Sequence, residues 1–177
     1  MTEKIPVGIS SCLLGNLVRY DGGHKHSRYC SEVLARYFEL RPICPELEAG
    51  LGVPRPPIQL QEDGDGLRLV EVSAGTDHTA AMDSVINRTM ASLGDLRGFI
   101  LKSKSPSCGL ERIPVHNLHG QIVRQDGRGM FADALVRHYP QMPVEQECRL
   151  EEDQLRADFI EQVFAYHKWR QALTRKS

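Results

Sequence analysis

Three short apolar runs in this chain each end in a turn that carries a cysteine. Ile5–Ser10 runs into Ser11-Cys12, residues 41–43 run into Cys44-Pro45-Glu46, and residues 98–101 run into KSKSPSCG, which places Cys108 before Gly109. Short apolar runs bounded by turn signals read as buried strands. Stretches of helical period stand between them. Residues 27–39 carry Tyr29, Val33, Leu34, Tyr37 and Phe38 at three- and four-residue steps, and residues 76–96 put Met82, Val85, Ile86, Met90 and Leu93 on one face. Strands that alternate with helices predict an α/β layered fold with a mainly parallel central sheet flanked by helices.

The rest of the chain adds smaller pieces. Asp63-Gly64-Asp65-Gly66 between residues 58–61 and 67–72 predicts a hairpin, and a second one is expected over residues 115–123, turning at His119-Gly120. Residues 129–139 read as a short helix stopped by Pro140. Residues 151–173 read as a long final helix with an apolar stripe of Leu155, Phe159, Ile160, Val163 and Phe164. With no repeat, low-complexity segment or long linker, residues 1–177 are expected to form one domain.

Charge excludes some functions. The 22 Lys and Arg against 23 Asp and Glu give a net charge of −1, so nothing pulls the whole chain toward nucleic acid or a membrane surface. The opening MTEKIPVGISSC holds only a brief apolar run broken by Pro6, which predicts neither a signal peptide nor a membrane span and suits a cytoplasmic protein. Five cysteines without a leader do not suggest a disulfide framework. They divide instead among core fillers, nucleophiles and metal ligands.

In open α/β sheets the functional crevice lies beyond the carboxyl ends of the strands. If the three strands are neighbours, their loops converge and deliver Cys12, Cys44 and Cys108 to one place. The plainer reading is that a free cysteine fills core space. That suits Cys30, beside Tyr29 and Val33, while Cys148, in a polar run, reads as incidental. The other three lie in turns with glycine or proline, which bring backbone close to a ligand and do not build cores. No C-x-x-C pair occurs, so spacing alone decides nothing.

Longer strings narrow the choice. GISSCLLGNLVRYDGGHK, CPELEAGLGVPRPPIQL and LKSKSPSCG, followed by GMFADAL and RADFIEQVFAYHKW, resemble a bacterial desulfurase family typified by thiouracil desulfurase, over nearly the whole chain. The resemblance implies a 4Fe-4S cluster held by Cys12, Cys44 and Cys108. It also implies loss of sulfur from a thiolated pyrimidine without net redox chemistry. One departure is Cys148 in EQECRL, where the family pattern leads one to expect glycine.

Three ligands leave one iron of a cubane open, as an open position does at a catalytic zinc. A thiocarbonyl is a soft donor suited to that iron, and water must then attack the ring carbon, which calls for a base. Glu46, two residues after Cys44, is the candidate base, against a default of a solvated loop carboxylate. The resemblance offers Ser103 and Ser105 as polar partners, with Ser107 left as an ordinary turn hydroxyl. Lys102 and Lys104 are candidates for holding anionic substrate, one of them expected to face solvent. Arg19, Asp21 and His24 follow Cys12 and are candidates for shaping the pocket. His24 and His26 have metal-binding side chains, but scattered histidines rarely ligate.

Two other readings stay open. One is a sulfurtransferase without a cluster, in which lysines lower the pKa of Cys108 and let it form a persulfide. The other is a zinc-stabilised binding module, which usually needs four converging donors. A radical-type C-x-x-x-C-x-x-C triplet and a phosphate loop of the G-x-x-x-x-G-K-[ST] kind are both missing. The expected partner is a small thiopyrimidine, with intact tRNA disfavoured by the neutral charge. Strand order and oligomeric state are left open.

Overall fold

Four parallel strands form the layer that positions everything else in the computed structural model, which describes residues 3–176. Met1, Thr2 and Ser177, the ends of the expected domain, lie outside the described residues. In chain order the first elements are β1 (Ile5–Ser10), β2 (Phe38–Ile43), α1 (Pro45–Glu48), β3 (Ile58–Glu62), β4 (Leu67–Glu71) and α2 (Thr79–Met90). After them come β5 (Phe99–Leu101), β6 (Ile113–His116), β7 (Ile122–Gly127), α3 (Met130–His138), β8 (Val144–Gln146) and α4 (Asp153–Thr174). Strands β2, β1, β5 and β8 stand in that order, all parallel. The fold is α/β, with helices covering the parallel sheet and a long helix at the carboxyl end.

The two hairpins do not stay apart. β3–β4 and β6–β7 pair antiparallel, and β3 pairs parallel with β6, so both join into a second sheet of order β4-β3-β6-β7. The short strand β8, absent from the sequence expectation, pairs with β5 and forms the edge of the first sheet.

Alternation along the strands divides the core. Val7, Ile9 and Ile100 face Phe38, Leu34 and the α4 residues Phe159 and Val163. Phe99 and Leu101 point the other way, into Phe131, Leu135, Met90 and Leu93. Burying each such side chain contributes about 1.5–3 kcal/mol. Gly8 makes room for Phe99, since a Cβ there would sit 2.4 Å from the ring. Pro6 is tolerated in the central strand for a directional reason. Gly8 N donates to Gly98 O, so the nitrogen two residues earlier faces the same side, before β5 begins, and no ladder bond is lost.

Two expectations shift. The helix expected over residues 27–39 is only a π-helical turn, Tyr29–Val33, and a 3-10 turn, Leu34–Arg36, because β2 begins at Phe38 to pair with Ile5. Strand pairing along β1 outweighs the helical spacing of Tyr37 and Phe38. On α4 the buried stripe is Phe159, Val163 and Tyr166, while Phe164, expected inside, is exposed. Among the described residues no helix is long and apolar enough to cross a membrane.

Candidate active site

Each parallel strand hands over to a cysteine-bearing segment at its carboxyl end. Cys44 follows β2 directly in an extended conformation, and Pro45 at the first position of α1 presets the turn that follows. Cys12 lies in the 3-10 turn Ser11–Leu14 after β1. The KSKSPSCG loop after β5 is pinned at its start by Lys102 N donating to Ser10 Oγ at 2.9 Å. It is pinned at its end by α3, whose first N–H groups have no partner within their own helix. Met130 N donates to Pro106 O, and the N–H groups of Phe131 and Ala132 both donate to Ser107 O. Gly129 allows this approach, because a Cβ there would lie 2.5 Å from the Ser107 carbonyl. Gly129→Ala should therefore push the Cys108 loop off α3 and cost about 1–3 kcal/mol of stability, read as a fall in melting temperature.

These segments surround one cavity of about 920 Å³, and Cys12, Cys44 and Cys108 all line it. Burial pushes the Cys12 thiol up to about 11, against the opposing pull of the Lys102 and Arg19 charges. Burial pushes the Cys108 thiol to about 12, and it raises Cys44 as well. All three are thus neutral thiols near pH 7 unless a cation replaces their protons. Burial dominates at Cys108, in the opposite direction to the lysine-lowered pKa that the persulfide reading calls for. The Lys102 charge is instead taken up by Glu147, whose Oε1 lies 2.5 Å from Nζ. Among the described residues no three His, Cys, Asp or Glu side chains gather as they would around a single metal ion. The three thiols line the cavity, and soft thiolate sulfurs are the donors that iron-sulfur clusters take.

Two carboxylates serve the thiol loop. Glu46 Oε2 accepts Arg55 Nε at 2.9 Å and Nη2 at 2.6 Å, and its Oε1 accepts Ser107 Oγ at 2.9 Å. Arg55 is buried and further held through Gly52 O, so the carboxylate it faces is fixed in place. Ser105 Oγ lies 3.0 Å from Ser107 Oγ, which completes a hydroxyl chain running to Glu46. Glu147 accepts Ser103 N at 2.7 Å and Ser103 Oγ at 2.8 Å. Lys104 and Arg112, the two non-glycine residues of positive φ among those described, stand on either side of Cys108 at φ 60 and 57. Such backbone costs on the order of 1 kcal/mol per residue and tends to occur where the surroundings hold a functional loop.

Of the residues singled out in the sequence, Glu46, Ser103, Ser105, Lys102, Lys104 and Arg19 line the cavity with the three thiols. Lys102 is half-buried and Lys104 exposed. Asp21 does not line it. Its Oδ1 accepts Gly23 N and approaches Arg19 Nε only to 4.0 Å. His24 and His26 are exposed and partnered locally, His24 Nδ1 with the His26 amide and His26 Nε2 with Ser31 Oγ. Cys30 is fully buried in the core beneath β1. Three members were missed: Ser107, which is a link to Glu46 and not a mere turn hydroxyl, Arg55, and Glu147. The PRPP context of Arg55 hides its pairing with Glu46 nine residues earlier, and the neighbourhood of Glu147 carries no local signal, since its partner Ser103 lies far along the chain. Cys148 is exposed and lines the cavity too, which the incidental reading did not foresee.

Comparison with known proteins identifies the fold and the family. The solved structure of a 4Fe-4S-dependent thiouracil desulfidase, TudS, superposes with a TM-score of 0.67 at 32% identity, covering 88% of this chain and 99% of its own. The uncharacterized protein YbbK of Bacillus subtilis (strain 168) is 30% identical over 108 residues, 57% of this chain and 71% of its own. The 2-thiouracil desulfurase family matches residues 7–147. That span holds all three thiols, Glu46 with its Arg55 partner and the whole KSKSPSCG loop, and the chain belongs to the 2-thiouracil desulfurase family.

Proposed function

We propose that this protein replaces the sulfur of a small thiolated pyrimidine, as base, nucleoside or nucleotide, with oxygen from water and releases sulfide. The observation that carries the reading is the meeting of three strand-end thiols and a half-buried, hydroxyl-linked carboxylate on one cavity, in a chain of this family. The relative TudS is described as 4Fe-4S-dependent, and the donor set here fits such a group, with Cys12, Cys44 and Cys108 as its ligands. Bound there, the cluster would supply one iron without a protein ligand, a soft Lewis acid for a thiocarbonyl sulfur. Both sheets contribute to the cavity, through the strand ends of the first and Ile58 of the second, which supports treating residues 1–177 as one unit.

The protein's own residues handle the protons. Ser107 Oγ donates to Glu46 Oε1, so the proton between the two hydroxyls belongs to Ser105, which donates to Ser107. Ser105 Oγ, which accepts the Cys108 and Ser107 amides, orients Ser107, and a water held at the remaining lone pair of Ser107 Oγ passes its proton through that hydroxyl to Glu46 Oε1. Arg55 keeps Glu46 aimed by contacting the other oxygen. Ser103, fixed by Glu147, presents a second hydroxyl to the cavity, and Lys102 serves to brace that pair. Lys104 and Arg19 are the cations assigned to a developing negative charge on the substrate.

Atoms and electrons balance with water alone: thiouracil and water give uracil and hydrogen sulfide. Anaerobically prepared protein should hold iron and acid-labile sulfide, and it should form uracil and sulfide in equal amounts with no added reductant. A strict need for an electron donor would overturn the hydrolytic reading. Turnover by protein free of iron would overturn the cofactor.

A further inference from the structure

All four strands of the parallel sheet, not three, are followed by a cysteine-bearing segment. In the spatial order β2, β1, β5, β8, the strands are followed by Cys44, Cys12, Cys108 and Cys148. Cys148 stands two residues beyond the end of β8, as Cys12 does beyond β1, and all four thiols line the same cavity. The fifth cysteine, Cys30, sits in the core and serves as an internal contrast.

The backbone around Cys148 is tied to the loop that carries Cys108. Gln146 Oε1 accepts Leu110 N at 2.9 Å, Glu147 binds Ser103 at two points, and Glu147 N donates to Leu101 O. Leu150, fully buried, anchors the other side. The anchorage is firm while the thiol itself is not. Cys108 is 6% exposed and Cys12 9%, both packed in place, whereas Cys148 is exposed and makes no hydrogen bond among the described residues. A side chain on a fixed backbone, free about one torsion and facing a cavity lined by three other thiols, is placed to bind and let go.

We infer that Cys148 supplies a fourth, displaceable thiolate to the cofactor held by Cys12, Cys44 and Cys108, closing its open corner until substrate sulfur takes that place. The inference rests on the cofactor reading above. Ligation moves no electrons: the thiol gives its proton to solvent on binding and takes one back on release. Storage of the product sulfur on Cys148 as a persulfide is a different matter. Joining sulfide to a thiol removes two electrons, and no oxidant is present to accept them.

The test uses anaerobic protein after iron and sulfide have been counted, with alkylation by iodoacetamide read by mass spectrometry at the Cys148 peptide. Cluster-loaded protein should alkylate Cys148 about tenfold or more slowly than metal-free protein, because a ligated sulfur is not a free nucleophile. Saturating thiouracil should restore the rate. Under mild oxidation, loaded Cys148→Ala should lose one iron and give a three-iron electron paramagnetic resonance signal sooner than the unsubstituted protein. Loaded protein that alkylates Cys148 at the metal-free rate, with a variant that keeps its fourth iron equally well, overturns the inference and leaves the cofactor reading standing. Protein that takes up no iron overturns both.

Discussion

Serine in place of Cys108 is expected to leave a folded protein that holds no intact cluster and has lost turnover by more than about 10²-fold. Even the outer partners of metal ligands are worth about 10–100-fold, and this residue would be a direct ligand. The oxygen is a harder donor than a thiolate and matches soft iron-sulfur chemistry poorly. Folding should survive, because Ser10 and Ser107 hydroxyls already neighbour the Cys108 sulfur and can pair with a new hydroxyl. Circular dichroism would check the fold, and anaerobic iron and sulfide analysis would check the site. Equivalent replacements of Cys12 and Cys44 should behave alike, whereas Cys30→Ala, in the core beneath β1, should keep its iron. A Cys108→Ser protein with a full complement of iron would remove this residue from the ligand set.

Glu46→Gln should retain iron and bind thiouracil yet turn over about 10²–10⁴-fold more slowly, the usual worth of a general base. The amide has nearly the same shape but cannot accept a proton near neutral pH. Its direction matters as well. With Arg55 donating to one side, the amide must turn its oxygen there and its NH₂ toward Ser107, which then accepts where it had donated. The hydroxyl relay through Ser107 is reversed, so proton acceptance and relay fail together. Single-turnover sulfide release, binding titration and iron assay on one sample separate this outcome from simple loss of the pocket. A loaded, fully active variant would shift the base to the Ser103–Glu147 pair.

Most of the scaffold could be read from periodicity alone. Ile5–Ser10 is a short apolar run bounded by turn residues, as suits a strand buried on both faces, and the DGDG hairpin announces itself by composition. The convergence of Cys12, Cys44 and Cys108 followed from one rule about strand ends. What escaped was long-range. β8 is three residues, Val144-Glu145-Gln146, without an apolar pattern, and it becomes a strand only because Phe99–Leu101 offers an edge. Missing that strand meant missing that Cys148 follows one. Arg55 and Glu46 meet across a proline-rich loop, and Glu147 meets Ser103 between strands adjacent in space and distant in sequence. Phe38 fits a helical pattern with Tyr37 but opens a strand, since register with β1 outweighed local spacing.

The way α3 seizes the thiol loop has a consequence for motion. The amide protons of Met130, Phe131 and Ala132 are held by carbonyls of Pro106 and Ser107 and not by a turn of their own helix. Exchange of those amides with solvent therefore requires the loop to let go, so fraying of the helix start and displacement of Cys108 are one opening event. The most readily opened part of an ordinary helix here becomes a clock for the integrity of the site, ticking at whatever rate the loop detaches.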